Sequence, residues 1–329
     1  MRLPAEWETQ RATLMAWPGP DGDWAGCLPE IRAEYASLID QILARQPVII
    51  LVQTAEQLDT LPFTNHSGLN PVVIEHNDTW CRDYGPVGLL SRSGRAQALD
   101  FKFDAWGGKY SSELDDKVNS QLIKHPLLAD FDRVAVDLEL EGGALESDGK
   151  RRLLINWFCL ERRLPQLSRS DIADRLKAAL YLDTVLGIDV PALPGDDTDG
   201  HIDTIARFAG PDCIVYQRHR DSEWTRQLES QLQALRRADG QGFRLVALPC
   251  VESFDPALPA NYANFLFING ACLVPIYDVP SDSRAISILA ELLPDREVAP
   301  IPARTMITQF GGPHCATMHI PEPIKCHDE

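Results

Sequence analysis

Ser170-Asp171-Ile172-Ala173-Asp174-Arg175-Leu176-Lys177-Ala178-Ala179-Leu180 follows closely on the apolar run Leu153-Leu154-Ile155-Asn156, and the pair decides the fold class. Ile172, Leu176 and Leu180 recur at the helical spacing and form one apolar stripe. Ser170 and Asp171 have the character of an N-cap and a first-turn acid. The preceding run is short, branched and bounded by turn residues, so it reads as a strand. Working outward, helical periodicity starts again near Pro29, Leu114, Ser222 and Asp282. Near Pro29 the stripe is Ile31, Tyr35, Leu38, Ile39 and Ile42. Strand-like runs lie between: Pro47–Val52, Val72–Glu75, Arg133–Val136, Ile202–Phe208, Cys213–Tyr216, Phe243–Leu248 and Phe265–Ile268. Four of the five helices recur about every 50–60 residues, which suggests a repeated unit of strands and one helix. Five units closing about an axis would gather loops from distant motifs into one site. No linker or low-complexity stretch divides the chain, so residues 1–329 read as one α/β domain.

Composition narrows the function. With 44% hydrophobic and 24% charged residues the chain has the make-up of a soluble globular protein. No apolar run approaches the roughly 18 residues of a membrane span, and the N-terminus has no apolar core of a signal peptide. A cytoplasmic location is expected. The net charge of −17, from 48 acids and 31 bases, argues against nucleic acid and suits a small cation as partner. The eight cysteines are scattered without a CxxC pair and are expected to be free thiols, with Cys159, Cys213 and Cys272 as core residues.

Four motifs carry chemistry. Gly311-Gly312-Pro313-His314-Cys315 places a thiol directly after a flexible turn. Gly200-His201-Ile202-Asp203, taken as the start of a strand, puts His201 and Asp203 on one face as an acid/base beside an anionic group. Trp80-Cys81-Arg82-Asp83 offers an aromatic face next to a carboxylate, the pair that a planar guanidinium prefers. Glu141-Gly142-Gly143 projects an acid at a turn. The loop Phe103–Tyr110, with Trp106, serves as a pocket wall or as packing. Each motif also has an ordinary structural reading when taken alone. His314 is adjacent to Cys315, but strand neighbours point to opposite faces, so His201 is the favoured partner of the thiol. A zinc site from His314, His319, Cys326 and His327 with Cys315 matches no standard spacing, and neither metal nor cofactor is expected.

Together the ordered motifs resemble the agmatine deiminase, or Porphyromonas-type peptidylarginine deiminase, family of the guanidine-modifying superfamily. The resemblance runs from Pro4–Glu8 and Leu14–Pro18 through Trp80–Pro86, Phe103–Tyr110, Glu141–Gly149 and Gly195–Asp203. It continues to Tyr262–Phe265, Leu273–Tyr277 and His314–Met318. It implies a five-bladed, pseudo-fivefold α/β propeller of ββαβ units, the pentein fold. It implies Cys315 as nucleophile and His201 as acid/base, with Asp83 and Asp203 gripping the guanidinium and Glu141 in support. Trp80 and Trp106 would line the channel and Asp197 would meet a distal amine, which favours agmatine over arginine. Deimination of peptidyl or free arginine, amidino transfer and non-catalytic guanidine or polyamine binding are the alternatives. A homo-oligomer is compatible with the sequence. One departure stands out: Glu161-Arg162-Arg163-Leu164-Pro165 replaces the family's usual Asn-Arg-Asn-Pro stretch, with no expected effect on chemistry.

Overall fold

The computed structural model describes residues 1–252 and 255–323. It is a mixed α/β structure whose strands form five separate sheets. Four of them share one plan. In the second sheet β4 (Val87–Leu90) pairs antiparallel with β5 (Ala96–Lys102), and β5 pairs parallel with β6 (Phe131–Glu139). The third has β7 (Glu146–Ser147), β8 (Arg152–Asn156) and β9 (Thr184–Ile188); the fourth β10 (Ala206–Phe208), β11 (Cys213–Gln217) and β12 (Arg244–Leu248); the fifth β13 (Leu266–Ile268), β14 (Ala271–Ile276) and β15 (Glu297–Pro302). Each repeats the antiparallel-then-parallel pairing. A parallel pair needs a crossover, and helices supply it. Arg169–Leu180 connects β8 to β9, Ser222–Ala234 connects β11 to β12, and Ser281–Leu292 connects β14 to β15. The middle strands β8 and β11 are buried along their whole length, as sheets covered on both faces require.

The first sheet contains both ends of the chain. β1 (Gln10–Ala16) pairs parallel with β2 (Val48–Val52) across the helix Leu28–Leu43, and β2 pairs parallel with β3 (Leu69–Val73). On its other side β1 takes the last strand, β16 (Thr317–Pro321), antiparallel, with Leu14 opposite Met318. The C-terminal thiol turn is thereby brought back to the beginning of the chain.

Several local expectations change. The periodicity near Leu114 yields only a 3-10 turn at Asp115–Lys117 and one short helix, Val118–Leu122. Asp115 leaves the helical pattern to accept the backbone N–H groups of Asn77 and Asp78. The helix of the third sheet is capped by Ser168, not Ser170, in a reciprocal capping box with Asp171. The run after Gly200 is a 3-10 turn, Ile202–Thr204, and its strand starts only at Ala206. The described cysteines are free thiols, and Cys159, Cys213 and Cys272 are buried as expected. No helix among the described residues is long and apolar enough to cross a membrane.

Candidate active site

The chemistry-bearing residues occupy one repeated position, the loop or short helical turn just before an edge strand of each sheet. Asp83 precedes β4, Glu141 and Gly143 precede β7, His201 and Asp203 precede β10, Asn264 precedes β13 and Cys315 precedes β16. Their contacts run in a closed cycle. Arg82 donates its N–H to the Cys315 carbonyl at 3.1 Å. Gly143 N–H donates to Asp83 Oδ1 at 3.0 Å. His201 Nε2 lies 3.6 Å from Glu141 Oε2, and Nδ1 lies 3.6 Å from Asp83 Oδ1. Asn264 Nδ2 donates to Asp203 Oδ2 at 3.2 Å and to Cys315 Sγ at 3.1 Å, which returns the cycle to its start.

Cys315 is 5% exposed and lines a cleft. Trp80, Trp106, Tyr110 and Phe310 give the cleft aromatic walls. Its charged lining consists of Asp23, Asp78, Asp83 and Asp197, with no lysine or arginine among the lining residues. Trp106 has a second task, donating Nε1–H to Asp83 Oδ2 at 3.0 Å. Trp80 approaches Gly311 so closely that a Cβ there would stand 2.4 Å from the ring. Asp197 lines the cleft while accepting from Tyr110 Oη at 2.6 Å and pairing with Lys109 at 3.6 Å.

The electrostatics divide the groups by role. Burial, then the nearby Asp203 and Asp83 carboxylates, push the Cys315 thiol well above its ordinary range. Burial opposes a charge on His201, but Asp83, Cys159 and Glu141 outweigh it and hold the imidazole well above its usual pKa. Burial also pushes up Asp83, with Asp203 and Glu141 adding to it against His201. Asp203 resists the same burial because His314 bonds it, and its carboxyl is lowered.

Six contributors lie outside the catalytic and substrate-binding residues expected from the sequence. Asn264 fixes both the thiol and Asp203. His314 turns away from the cleft: Nδ1 bonds Asp203 Oδ2 at 2.7 Å and Nε2 bonds Glu6 Oε2 at 2.6 Å. It therefore braces Asp203 and is no neighbour of the thiol in a zinc cluster; Cys326 and His327 lie outside the described residues. Glu6 is buried between His314, Arg82 at 3.1 Å and Arg207 at 3.1 Å, and accepts the Phe267 N–H at 2.8 Å. Burial disfavours its charge, but His314, Arg207 and Arg82 hold its carboxyl well below the usual range. Arg163 corrects the expectation for its stretch. It closes the short helix Trp157–Arg163, ion-pairs Glu141 and reaches Asp199 at 3.2 Å. The departing segment therefore holds a carboxylate that faces His201. Cys159, taken as core, is buried beside His201 and Glu141. Gly143 is a space requirement: a Cβ would stand 2.5 Å from His201 Nδ1 and 2.8 Å from Asp83 Oδ1. Gly143→Ala is expected to reduce kcat/KM by about 10²-fold by displacing His201 and Asp83, while circular dichroism stays native. Retained activity would show that the His201–Asp83 spacing is not critical.

A thiol, an imidazole and two carboxylates around an aromatic, anionic cleft define a cysteine site built for a planar cation. Residues 2–321 match the Porphyromonas-type peptidyl-arginine deiminase family, and the chain belongs to it. It is 28% identical to the agmatine deiminase of Pseudomonas aeruginosa, over 98% of this chain and 96% of that one. Its structure resembles a C. jejuni agmatine deiminase solved as a cysteine-to-serine variant with substrate bound. There the TM-score is 0.90 at 29% identity, covering 98% of this chain and 97% of that one. A Porphyromonas gingivalis protein provisionally described as an arginine deiminase matches at 40% identity and a TM-score of 0.88, over 97% and 98% of the two chains.

Proposed function

We propose that this chain is an agmatine deiminase, hydrolysing agmatine to N-carbamoylputrescine and ammonia. The observation that carries the reading is the cleft itself: a thiol at its base and four aspartates, with no basic side chain, along its lining. Agmatine is cationic at both ends and suits that lining. Free arginine would set its carboxylate against Asp197, Asp78 or Asp23 with no cation in the lining to meet it. We read the fold as a five-bladed α/β propeller of one catalytic unit; the five sheets, four of them of one plan, and the cycle of pre-strand contacts support this.

The geometry supports the following roles. Asp83 and Asp203 hold the guanidinium plane and present its carbon to Cys315 Sγ. Binding the cation offsets the carboxylates that keep the thiol protonated, so the thiolate forms as substrate docks. Sulfur attacks the guanidinium carbon. His201, charged at the start, protonates one nitrogen of the adduct, which leaves as ammonia. The thiouronium on Cys315 remains. Neutral His201 then takes a proton from water, the hydroxide adds to the same carbon, and collapse expels the thiolate. The protonated product gives its extra proton to solvent and departs as the ureido compound. Glu141, paired with Arg163, supports the imidazolium.

A ureido-product assay with agmatine, free arginine and a blocked arginine peptide tests the substrate. Strong turnover of agmatine alone is expected; preferential turnover of arginine would overturn the substrate while keeping the thiol chemistry. The raised thiol also has a kinetic signature. Iodoacetamide should inactivate the empty enzyme slowly at pH 7, with the rate rising through and above pH 9, because only the thiolate is alkylated. A rate that already levels off near neutral pH would mean an ionised thiol in the resting site.

A further inference from the structure

Behind the cleft, the mechanism leaves one thiol unused. Cys159 is fully buried, and its Sγ, a ring nitrogen of His201 and a carboxylate oxygen of Glu141 lie within 4.8 Å of one another. Each of these groups keeps donor capacity toward the others. Among the described residues neither nitrogen of His201 has a hydrogen-bond partner, although the residue is 0% exposed. Arg163 takes Glu141 on the Oε1 side and leaves Oε2 facing His201. The Cys159 thiol has only a long contact, donating to the Thr198 carbonyl at 3.5 Å.

We infer that Glu141, Cys159 and His201 form an inhibitory site for a thiophilic divalent cation of the zinc class. One sulfur, one nitrogen and one oxygen donor are a donor set that Zn²⁺ accepts and that Mg²⁺ or Ca²⁺ does not favour. The side chains must close by roughly 1 Å to reach zinc–ligand lengths of about 2.0–2.3 Å, and short side-chain rotations allow this. Binding displaces one proton from the Cys159 thiol and one from the His201 imidazolium. The buried charge is unchanged, since the two positive charges of the ion replace the two displaced protons. A metal here occupies the imidazole that moves protons in both halves of the reaction, so turnover stops. Cys315 stays free, and a chelator reverses the block. The inhibition rests on the proposed deiminase chemistry; the binding does not.

Two measurements separate these. In the first, Zn²⁺ is titrated against agmatine turnover. Wild type should be inhibited and restored by EDTA, while Cys159→Ala, measured against its own metal-free turnover, needs at least tenfold more Zn²⁺ for half-inhibition. Equal sensitivity of the two would overturn the site. In the second, Co²⁺ is added to Cys315→Ala, so that the nucleophile contributes no ligand. A thiolate-to-cobalt charge-transfer band is expected there and should vanish in Cys315→Ala/Cys159→Ala. A band that persists in the double variant places the metal on another thiol and overturns the inference, whatever the substrate assay gives. Cys159→Ser provides the same readouts if the alanine variant does not fold.

Discussion

Cys315→Ala should lower agmatine turnover by roughly 10⁴-fold or more, the scale of loss when a nucleophile is removed from a site whose groups act as a unit. Nothing else in the cleft can replace it. Cys159 lies outside the lining, beside His201, and the four lining carboxylates are weak nucleophiles. The loss should fall on kcat, because the groups that hold the substrate remain. Cys315→Ser should still bind agmatine, as measured by calorimetry, while producing no ureido compound above the alanine variant. Asn264 would then donate to the serine oxygen as it now donates to sulfur at 3.1 Å. Turnover within tenfold of wild type in either variant would remove the covalent mechanism.

Glu6→Ala is expected to be the most destabilising single change, by about 3–5 kcal/mol, read as a fall in the denaturant midpoint. Glu6 is a buried carboxylate facing Arg82, Arg207 and His314, and its loss leaves those groups without their shared counter-charge. The damage reaches the site, because His314 braces Asp203 through its other nitrogen. The pH dependence has a definite sign. Glu6's carboxyl lies well below its unfolded value, so its contribution is complete above the unfolded pKa of about 4.3 and is lost as pH falls through the lower folded value. The stability gap between wild type and Glu6→Gln should therefore be constant near neutrality and shrink on acidification. A gap unchanged down to the acid transition would mean that the Glu6 charge does not stabilise the fold.

What was legible in the sequence had local causes. Cys315, His201, Asp83 and Glu141 stand in short glycine-bearing or aromatic turns whose residue types have few purely structural uses in combination. Ile172, Leu176 and Leu180 repeat at helical spacing and do form the buried face of their helix. The rest depended on distance. β16 pairs with β1 across nearly the whole chain, and no local pattern announces such a partner. Asn264 was visible only as part of a motif, because its value lies in meeting Cys315 and Asp203 from another sheet. Glu6 is one acid among 48, marked only by the cations that fold around it. His201 and Asp203 were placed together for the wrong local reason: a 3-10 turn brings them to one site, and strand alternation does not.

The central claim is that Cys315 carries the guanidine carbon during turnover. The most direct test is acid quenching of wild-type enzyme turning over agmatine, followed by peptide mass spectrometry. The account predicts a transient adduct on the Cys315 peptide with the mass of agmatine less ammonia, decaying as the ureido product appears. Product formed with the adduct on another cysteine, or with no residue modified at any quench time, would contradict it.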